Sequence, residues 1–204
     1  MITKAFYEDI IKKIGKTNFD KVQKARVGIA GLGGLGSNCA ANLVRVGFKK
    51  FTLADFDVID PTNLGRQFYF QDQVGTAKVE ALKINLLRIN PELDLETFKK
   101  KIEAHDVKKI FEGCEVVAEC FDKAESKSML VTELLKMGKF VVCGSGLGGF
   151  GSSDDIRIHE IKKNLVIVGD LKSDICSKPP LSPRVNVAAA KQADIILDFV
   201  LNRA

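Results

Sequence analysis

The chain has 204 residues, of which 46% are hydrophobic and 28% charged. This composition is typical of a globular protein of one domain, so we predict a single domain over residues 1–204. The net charge is only +5, and the basic residues are scattered apart from the run at residues 99–101. We expect that run to be a solvated surface, which argues against a nucleic-acid-binding protein.

Several classes of protein are disfavoured by pattern alone. No stretch of about 18 apolar residues predicts a membrane span. The first 15 residues are charged throughout, unlike a signal peptide. The cysteines are odd in number and lack C-x-x-C spacing, which argues against a disulfide framework and a structural zinc site. We therefore predict a protein of the reducing cytoplasm. The cysteines are Cys39, Cys114, Cys120, Cys143 and Cys176.

The N-terminal part predicts two helices, over residues 1–14 and around residues 19–24, followed by a strand over residues 27–30. That strand ends in glycines with the spacing G-x-G-x-x-G, at Gly31, Gly33 and Gly36. In this pattern the first glycine permits a tight turn and the second lets the backbone approach a phosphate. The third lets the next helix, here residues 37–46, pack on the sheet. The stretch predicts a nucleotide site.

A second strand, over residues 51–54, ends in Asp55, whose carboxylate lies where an acidic side chain can bind ribose hydroxyls. Asp60 and Pro61 then indicate an N-cap and the start of a short helix that carries Asn63, Arg66 and Gln67 close together. A longer helix follows and ends at residues 90–91. Lys78 falls in its first turn, where a basic side chain has a small electrostatic cost that a triphosphate would offset.

The second half alternates strands (residues 93–98, 115–119 and 140–143) with helices (residues 105–112 and 123–137). Asp122 follows the strand at residues 115–119, at the sheet edge where ligands of open parallel sheets bind, and by residue type it equally suits the N-cap of the next helix; the two interpretations are compatible. A hairpin of antiparallel strands is predicted at residues 156–161 and 165–168. A surface loop over residues 169–183 carries Cys176, and a final helix covers residues 184–201. The predicted fold is α/β, Rossmann-like, with a mainly parallel sheet and an antiparallel C-terminal extension.

The sequence resembles the family of ThiF- and MoeB-like adenylating enzymes, the bacterial relatives of ubiquitin-activating enzymes, over nearly the whole chain. In its short length and its lack of zinc-binding cysteines, the chain is most similar to the compact ThiF-like proteins of thiamine biosynthesis. The motifs that carry the resemblance are GLGGLGSN from Gly31, DFDVIDPTNLGRQ from Asp55, VGTAK from Val74, INPEL from Ile89 and PPLSPRVNVAAAKQA near the C-terminus.

This resemblance implies a homodimer that uses ATP and Mg²⁺ to adenylate the C-terminal Gly-Gly of a small ThiS-like, ubiquitin-like sulfur carrier protein. It implies that Asp122 holds Mg²⁺, and that Arg66, Lys78, Asp122 and Cys176 are the catalytic residues. The residues that it assigns to ATP are Gly31, Gly33, Gly34, Gly36, Asp55, Asp57, Asn63, Arg66, Gln67 and Lys78.

Cys176 stands where the family can form a thioester or an acyl-disulfide, and the alternative is a surface cysteine without a role. One departure from the family concerns the N-terminal helix, which offers Lys12 and Lys13 in place of an arginine. Three other functions fit part of the pattern. They are adenylation of a molybdopterin-pathway carrier or a tRNA base, NAD-dependent dehydrogenation, and nucleotide binding by a non-catalytic regulator.

Overall fold

A computed structural model describes residues 2–174 and 177–203 of the chain, apart from the side chains of residues 2, 3 and 203. Cys176, a predicted catalytic residue, lies outside the described residues. The α-helices of the described chain are α1 (Ile2–Ile14), α2 (Lys16–Lys24), α3 (Gly34–Arg45), α4 (Lys78–Ile89), α5 (Ala104–Phe111), α6 (Ala124–Lys136) and α7 (Ser182–Asp198). None of the described helices is long and apolar enough to cross a bilayer.

The strands form one twisted sheet in the order β3-β2-β1-β4-β5-β7-β6. Every neighbouring pair is parallel except β6 and β7, so the predicted fold class is confirmed. The hairpin is antiparallel as predicted, but β7 itself runs parallel to β5 and only β6 is reversed. The strands are β1 (Arg26–Ala30), β2 (Lys50–Ala54), β3 (Asp94–Phe98), β4 (Val116–Glu119), β5 (Phe140–Gly144), β6 (Arg157–Lys162) and β7 (Leu165–Gly169).

Helices cover both faces of the sheet. Alternate residues of β4 point to opposite sides, so Val116 and Ala118 join the core beneath α3, α4 and α7, whereas Val117 joins the core beneath α5 and α6. All five residues of β5 are buried, as expected for a strand covered on both faces.

The strand order reverses next to β1, since β2 and β3 lie on one side of it and β4 on the other. Ligands of open α/β sheets bind outside the carboxyl ends of the strands at such a point. The turns that follow β1, β2 and β4 carry Gly31, Asp55 and Asp122, so the topology places these predicted site residues at one edge of the sheet.

Several predicted boundaries are wrong in detail. The helix after the glycines begins at Gly34 rather than Ser37. The short helix after Asp60 is a 3-10 helix, Pro61–Asn63, and ends before Arg66 and Gln67. The amides of both residues still donate hydrogen bonds to the carbonyl of Asn63, at 3.1 and 3.0 Å, so the three residues stay together. The C-terminal helix begins at Ser182, and a π-helical turn, Phe199–Arg203, follows it.

Candidate nucleotide site

The glycine loop after β1 is tightly packed at two of its glycines. Gly31 has a φ of +90°, and a Cβ added there would lie 2.8 Å from the carbonyl oxygen of Cys120. A Cβ added at Gly36 would overlap the carbonyl oxygen of Gly31 itself. Only glycine adopts the φ of Gly31 readily, and only glycine fits the close approach at Gly36. Gly31 thus permits the tight turn, and Gly36 lets α3 pack on the sheet, as predicted.

Gly33 lies in a different environment, at the N-cap of α3 with a φ of −75°. A Cβ added there would meet only the side-chain nitrogen of Gln67, at 3.8 Å. The first N–H groups of α3 have no acceptor within the helix, and the helix dipole favours an anion in front of them. Gly34 packs more closely, with an added Cβ 2.9 Å from Val185. The open face of the loop is therefore above Gly33.

Asp55 connects the end of β2 to the glycine loop. One oxygen of its buried carboxylate accepts the Leu32 amide at 2.6 Å, and the other accepts the Asp57 amide at 2.8 Å. Each carboxylate oxygen has a second lone pair, so Asp55 keeps acceptor capacity for a ligand hydroxyl.

Lys78 lies at the start of α4 and is 6% exposed. Its ammonium donates to Asp57 at 2.7 Å, and its amide donates to the Asp57 carbonyl at 3.0 Å. An ammonium has three N–H donors, so the pair with Asp57 leaves two for another acceptor. The structure thus brings Asp57 and Lys78 together with Asp55 at the glycine loop.

Polar side chains of α3 hold the segment with Arg66 and Gln67 against the glycine loop. The Ser37 hydroxyl donates to the Gly33 carbonyl at 2.7 Å and accepts the Phe68 amide at 3.0 Å. The Asn38 amide group donates to the Arg66 carbonyl at 3.0 Å. No positional role was predicted for Ser37 or Asn38, because the partner segment lies some thirty residues away in the sequence.

Gln67 carries a buried polar atom without a partner in the described chain, beside the glycine loop. Its side chain is 8% exposed and faces Gly33, yet its Oε1 has no hydrogen-bond partner among the described residues. Leaving a buried polar atom unpaired costs about 1–3 kcal/mol. The side-chain atom nearest Gly33 is the amide nitrogen Nε2, a donor that suits the oxygens of an anionic ligand.

Arg66 and Asn63 have local partners at present. The Arg66 guanidinium donates to the Thr62 carbonyl at 3.2 Å. The Asn63 side-chain oxygen accepts the Asp60 amide at 3.1 Å, and the Asp60 carboxylate accepts the Thr62 amide at 2.8 Å. The predicted N-cap at Asp60 is therefore confirmed, and Asn63 completes the capping box.

Tyr69 is a part of this site that the sequence did not reveal. Its buried hydroxyl donates to the Leu32 carbonyl at 2.8 Å, so it links the glycine loop to a residue 37 positions away. Burial raises the pKa of Tyr69, and the nearby charges of Asp55 and Asp57 raise it further, so the phenol stays protonated and remains a donor. A lone aromatic residue gives no sequence signal for this role.

We expect Tyr69→Phe to lower the free energy of unfolding by about 1–2 kcal/mol, because the buried Leu32 carbonyl loses its donor. Urea denaturation measures this as a lower midpoint with an unchanged m value. A variant as stable as the wild type would show that the hydrogen bond contributes nothing to the loop.

Asp122 lies at the same sheet edge but on the far side of Gly31. It is exposed, and no hydrogen bond or ion pair joins it to any other described residue. The alternative prediction that Asp122 caps the next helix is wrong, because α6 begins at Ala124 with Lys123 at the N-cap position. The carboxylate is thus available to a cation, and Mg²⁺ prefers such oxygen ligands.

A sequence model of the ThiF family matches residues 7–167. The chain belongs to the ThiF family. A molybdopterin-synthase adenylyltransferase of Haemophilus influenzae is 30% identical over 139 residues, which are 68% of this chain and 57% of that protein. An adenylyltransferase and sulfurtransferase UBA4 of Eremothecium gossypii is 33% identical over 132 residues, 64% of this chain and 30% of the relative. The chain thus matches only part of the length of these relatives.

The fold of this ThiF-family chain is also that of solved structures. The E. coli tRNA N6-threonylcarbamoyladenosine dehydratase TcdA in complex with AMP superposes with a TM-score of 0.87 at 19% identity, covering 97% of this chain and 94% of that one. E. coli MccB with AMPCPP and MccA gives a TM-score of 0.75 at 24% identity, covering 97% and 62%. At sequence identities this low, the structural similarity establishes the fold alone.

The cysteines of the described chain, Cys39, Cys114, Cys120 and Cys143, are buried. Burial raises the pKa of Cys39 to about 12 and that of Cys114 to about 11, so these thiols are not activated. On α1, Lys12 and Lys13 are exposed, and Lys13 pairs with Asp9 at 2.7 Å.

Arg184, which lies in the first turn of α7 and is 5% exposed, anchors the loops that follow β5 and β7. Its guanidinium donates to the carbonyls of Gly151 and Ser152 at 2.7 and 2.9 Å, and to the Asp170 carboxylate at 2.5 Å. Asp170 also accepts the amides of residues 172 and 173. Arg184 therefore joins the glycine-rich loop after β5 to the loop after β7.

We expect Asp170→Asn to lower the free energy of unfolding at neutral pH by about 2 kcal/mol, since a charged hydrogen bond to buried Arg184 is lost. Burial raises the pKa of Asp170, but the two amides and Arg184 hold it below its usual value. A lowered pKa stabilises the fold above the unfolded value of about 4, and that stabilisation is lost as the pH falls further. The difference from wild type should shrink below about pH 4.

Denaturation of both proteins between neutral and acidic pH measures this difference, and Asp154→Asn is the control for an exposed carboxylate nearby. A difference that stays constant down to low pH would exclude a contribution from the ionised form of Asp170.

Proposed function

We propose that residues 1–204 form one adenylation domain that binds ATP above Gly33 and transfers its adenylyl group to a carboxylate. The observation that carries the proposal is the open N-terminus of α3 at Gly33, faced by the buried Gln67 side chain, whose amide nitrogen lies nearest Gly33 and whose oxygen is unpaired among the described residues. Lys78 adds a buried positive charge at the same edge of the sheet. The polyphosphate of ATP is anionic and rich in acceptor atoms, so it fits the Lys78 ammonium and the N-terminus of α3. The hydroxyl and amino groups of a nucleotide are donors, and they fit the acceptor oxygens of the site.

In the proposed reaction an oxygen of the acceptor carboxylate forms a bond to the α-phosphorus of ATP. The bond from that phosphorus to the oxygen bridging the α- and β-phosphates breaks, and pyrophosphate leaves. Both reactants are anions, so the site has to neutralise charge and hold them in line. We assign charge neutralisation to Arg66 and Lys78, with Lys78 held in place by Asp57.

The remaining predicted residues take binding roles. Asp55 accepts a ribose hydroxyl, and Gln67 and Asn63 contact the nucleotide together with the backbone of the glycine loop, Gly31, Gly33, Gly34 and Gly36. Asp122 is the proposed ligand of Mg²⁺, which when bound would neutralise phosphate charge. The exposed carboxylate without a described partner fits this metal.

For the acceptor we propose the C-terminal Gly-Gly of a ThiS-like sulfur carrier protein, with a homodimer as the working form. The names of the relatives support adenylyl transfer, and UBA4 is named a sulfurtransferase as well. MccB, which shares the fold, was crystallised together with MccA. Cys176 then acts after adenylation, in sulfur transfer. Action in thiamine biosynthesis and in the cytoplasm stays a prediction.

Exchange of labelled pyrophosphate into ATP tests this function. We expect exchange to depend on a ThiS-like carrier, to be lost in Arg66→Ala and Asp122→Ala, and to persist in Cys176→Ala. Exchange with a MoaD-like carrier alone, or with a tRNA carrying a carboxylate, would move the substrate to that class. ATP binding without exchange for any acceptor would instead indicate a nucleotide-binding regulator, and protection by NAD alone a dehydrogenase.

A further inference from the structure

A buried carboxylate stands at the start of the turn that carries Asp122. Glu119 is the last residue of β4 and is fully buried. Its Oε1 accepts the amide of Phe121 at 2.7 Å, so the side chain holds the backbone of the turn two residues further on. None of the motifs by which the chain resembles its family includes this residue.

Lys127 of α6 holds the other oxygen of Glu119, with its ammonium 2.7 Å from Oε2. The Lys127 side chain is 24% exposed, whereas that of Glu119 is inaccessible. Both oxygens of the carboxylate are therefore engaged, one by the turn and one by the helix that follows it. The pair fixes the side-chain rotamer of Glu119 and with it the position of the Phe121 amide.

The opposite side of the turn is also held. The Cys120 amide donates to the Ala30 carbonyl at 2.8 Å, and the Cys120 carbonyl lies against Gly31. Gln192 of α7 donates to the Val142 carbonyl at 3.1 Å and accepts the Cys120 thiol at 3.7 Å. Cys120 is thus fixed to the sheet, and the Phe121 amide is the contact of the turn that depends on Glu119.

A buried ion pair is a weak source of stability, because an apolar pair of similar volume is often as stable. Its distinct contribution here is geometric, since it determines the direction in which the turn leaves β4. We propose that Glu119 and Lys127 are positioning residues that orient the Asp122 carboxylate toward the metal of a bound Mg·ATP. This inference rests on the proposed function, in which Asp122 is the metal ligand.

The test compares ATP binding by the full chain with EDTA and with saturating Mg²⁺. The main variant is Glu119→Leu/Lys127→Met, which replaces the pair by apolar side chains and leaves the Phe121 amide without an acceptor. We expect the gain in ATP affinity that Mg²⁺ gives to fall about tenfold, while the affinity for metal-free ATP stays within about twofold of wild type. Asp122→Asn should lose the same gain, and adding it to the double variant should lose no more, because both act on one metal contact.

Two further variants separate positioning from stability. Lys127→Arg keeps the charge and should retain the Mg²⁺ effect. Lys136→Met removes an exposed lysine of the same helix, paired with Glu133. It should change neither the affinity for metal-free ATP nor the gain in affinity that Mg²⁺ gives. Hydrogen exchange of the Phe121 amide gives a readout without ATP, and protection should be lost only in the double variant.

Each outcome decides a separate claim. A double variant with an unchanged Mg²⁺ effect, or one that weakens metal-free ATP binding equally, would overturn the positioning role and leave the proposed function intact. A wild-type chain that binds ATP in neither condition would overturn the proposed function, and the positioning inference with it.

Discussion

Replacing Gly33 by alanine should weaken ATP binding about 100-fold, equivalent to roughly 2.7 kcal/mol, without unfolding the protein. The added methyl group would meet only Gln67, at 3.8 Å, so it enters open space where we place the phosphates. The φ of −75° suits alanine, but the ψ of −149° lies outside the broad β region, so alanine meets some backbone strain there. We therefore expect the free energy of unfolding to fall by about 1 kcal/mol, with the fold retained.

Gly36→Ala is the matched comparison, and it should have the opposite pattern. Its methyl group would overlap the Gly31 carbonyl, so α3 cannot stay on β1 without a backbone shift. We expect about 3 kcal/mol of destabilisation, a large part of the stability of a small domain. Denaturation curves and ATP titrations of both variants make the comparison. Equal ATP affinity in Gly33→Ala and wild type would place the nucleotide elsewhere.

Lys78→Met should reduce pyrophosphate exchange about 100-fold, the usual effect of removing one group that stabilises charge in a transition state. Methionine keeps most of the buried length of the side chain but removes the ammonium. Asp57, whose side chain is 45% exposed, loses its partner but remains accessible to water, so the cost in stability should be small.

Lys83→Met is the control for this substitution, because it removes a lysine from the same helix, one and a half turns further on. It should leave exchange unchanged. If both variants lose activity equally, the effect comes from the net charge of the protein, and a specific role for Lys78 is excluded. Adding Asp57→Asn to Lys78→Met should not restore exchange, because no positive charge returns to the site.

Local patterns predicted most of the elements. The apolar runs before Gly31 and Asp55 became β1 and β2, and the periodicity from Lys78 to Ile89 became α4. Element ends were less accurate, since the α3 helix begins three residues before the predicted Ser37. A glycine at the first helical position has low helix propensity, and only packing on the sheet makes the helix start there.

The neighbouring residues alone could not predict the direction of β7, nor whether Asp122 caps α6. A short apolar strand pairs equally well in either direction by its own sequence, and its place beside β5 depends on the sheet as a whole. Likewise, Asp122 is a good N-cap residue by type, yet α6 begins one residue too late for it to cap the helix.

The sequence by itself determined the glycine spacing and the acidic and basic residues after the strands, and with them the prediction of a nucleotide ligand. The tertiary structure decided how those residues are held. Tyr69 reaches the Leu32 carbonyl, and Ser37 holds the Phe68 amide. Such contacts join segments that are distant in the chain, and a buried polar group leaves no periodic pattern, so only the folded chain shows which partner satisfies it.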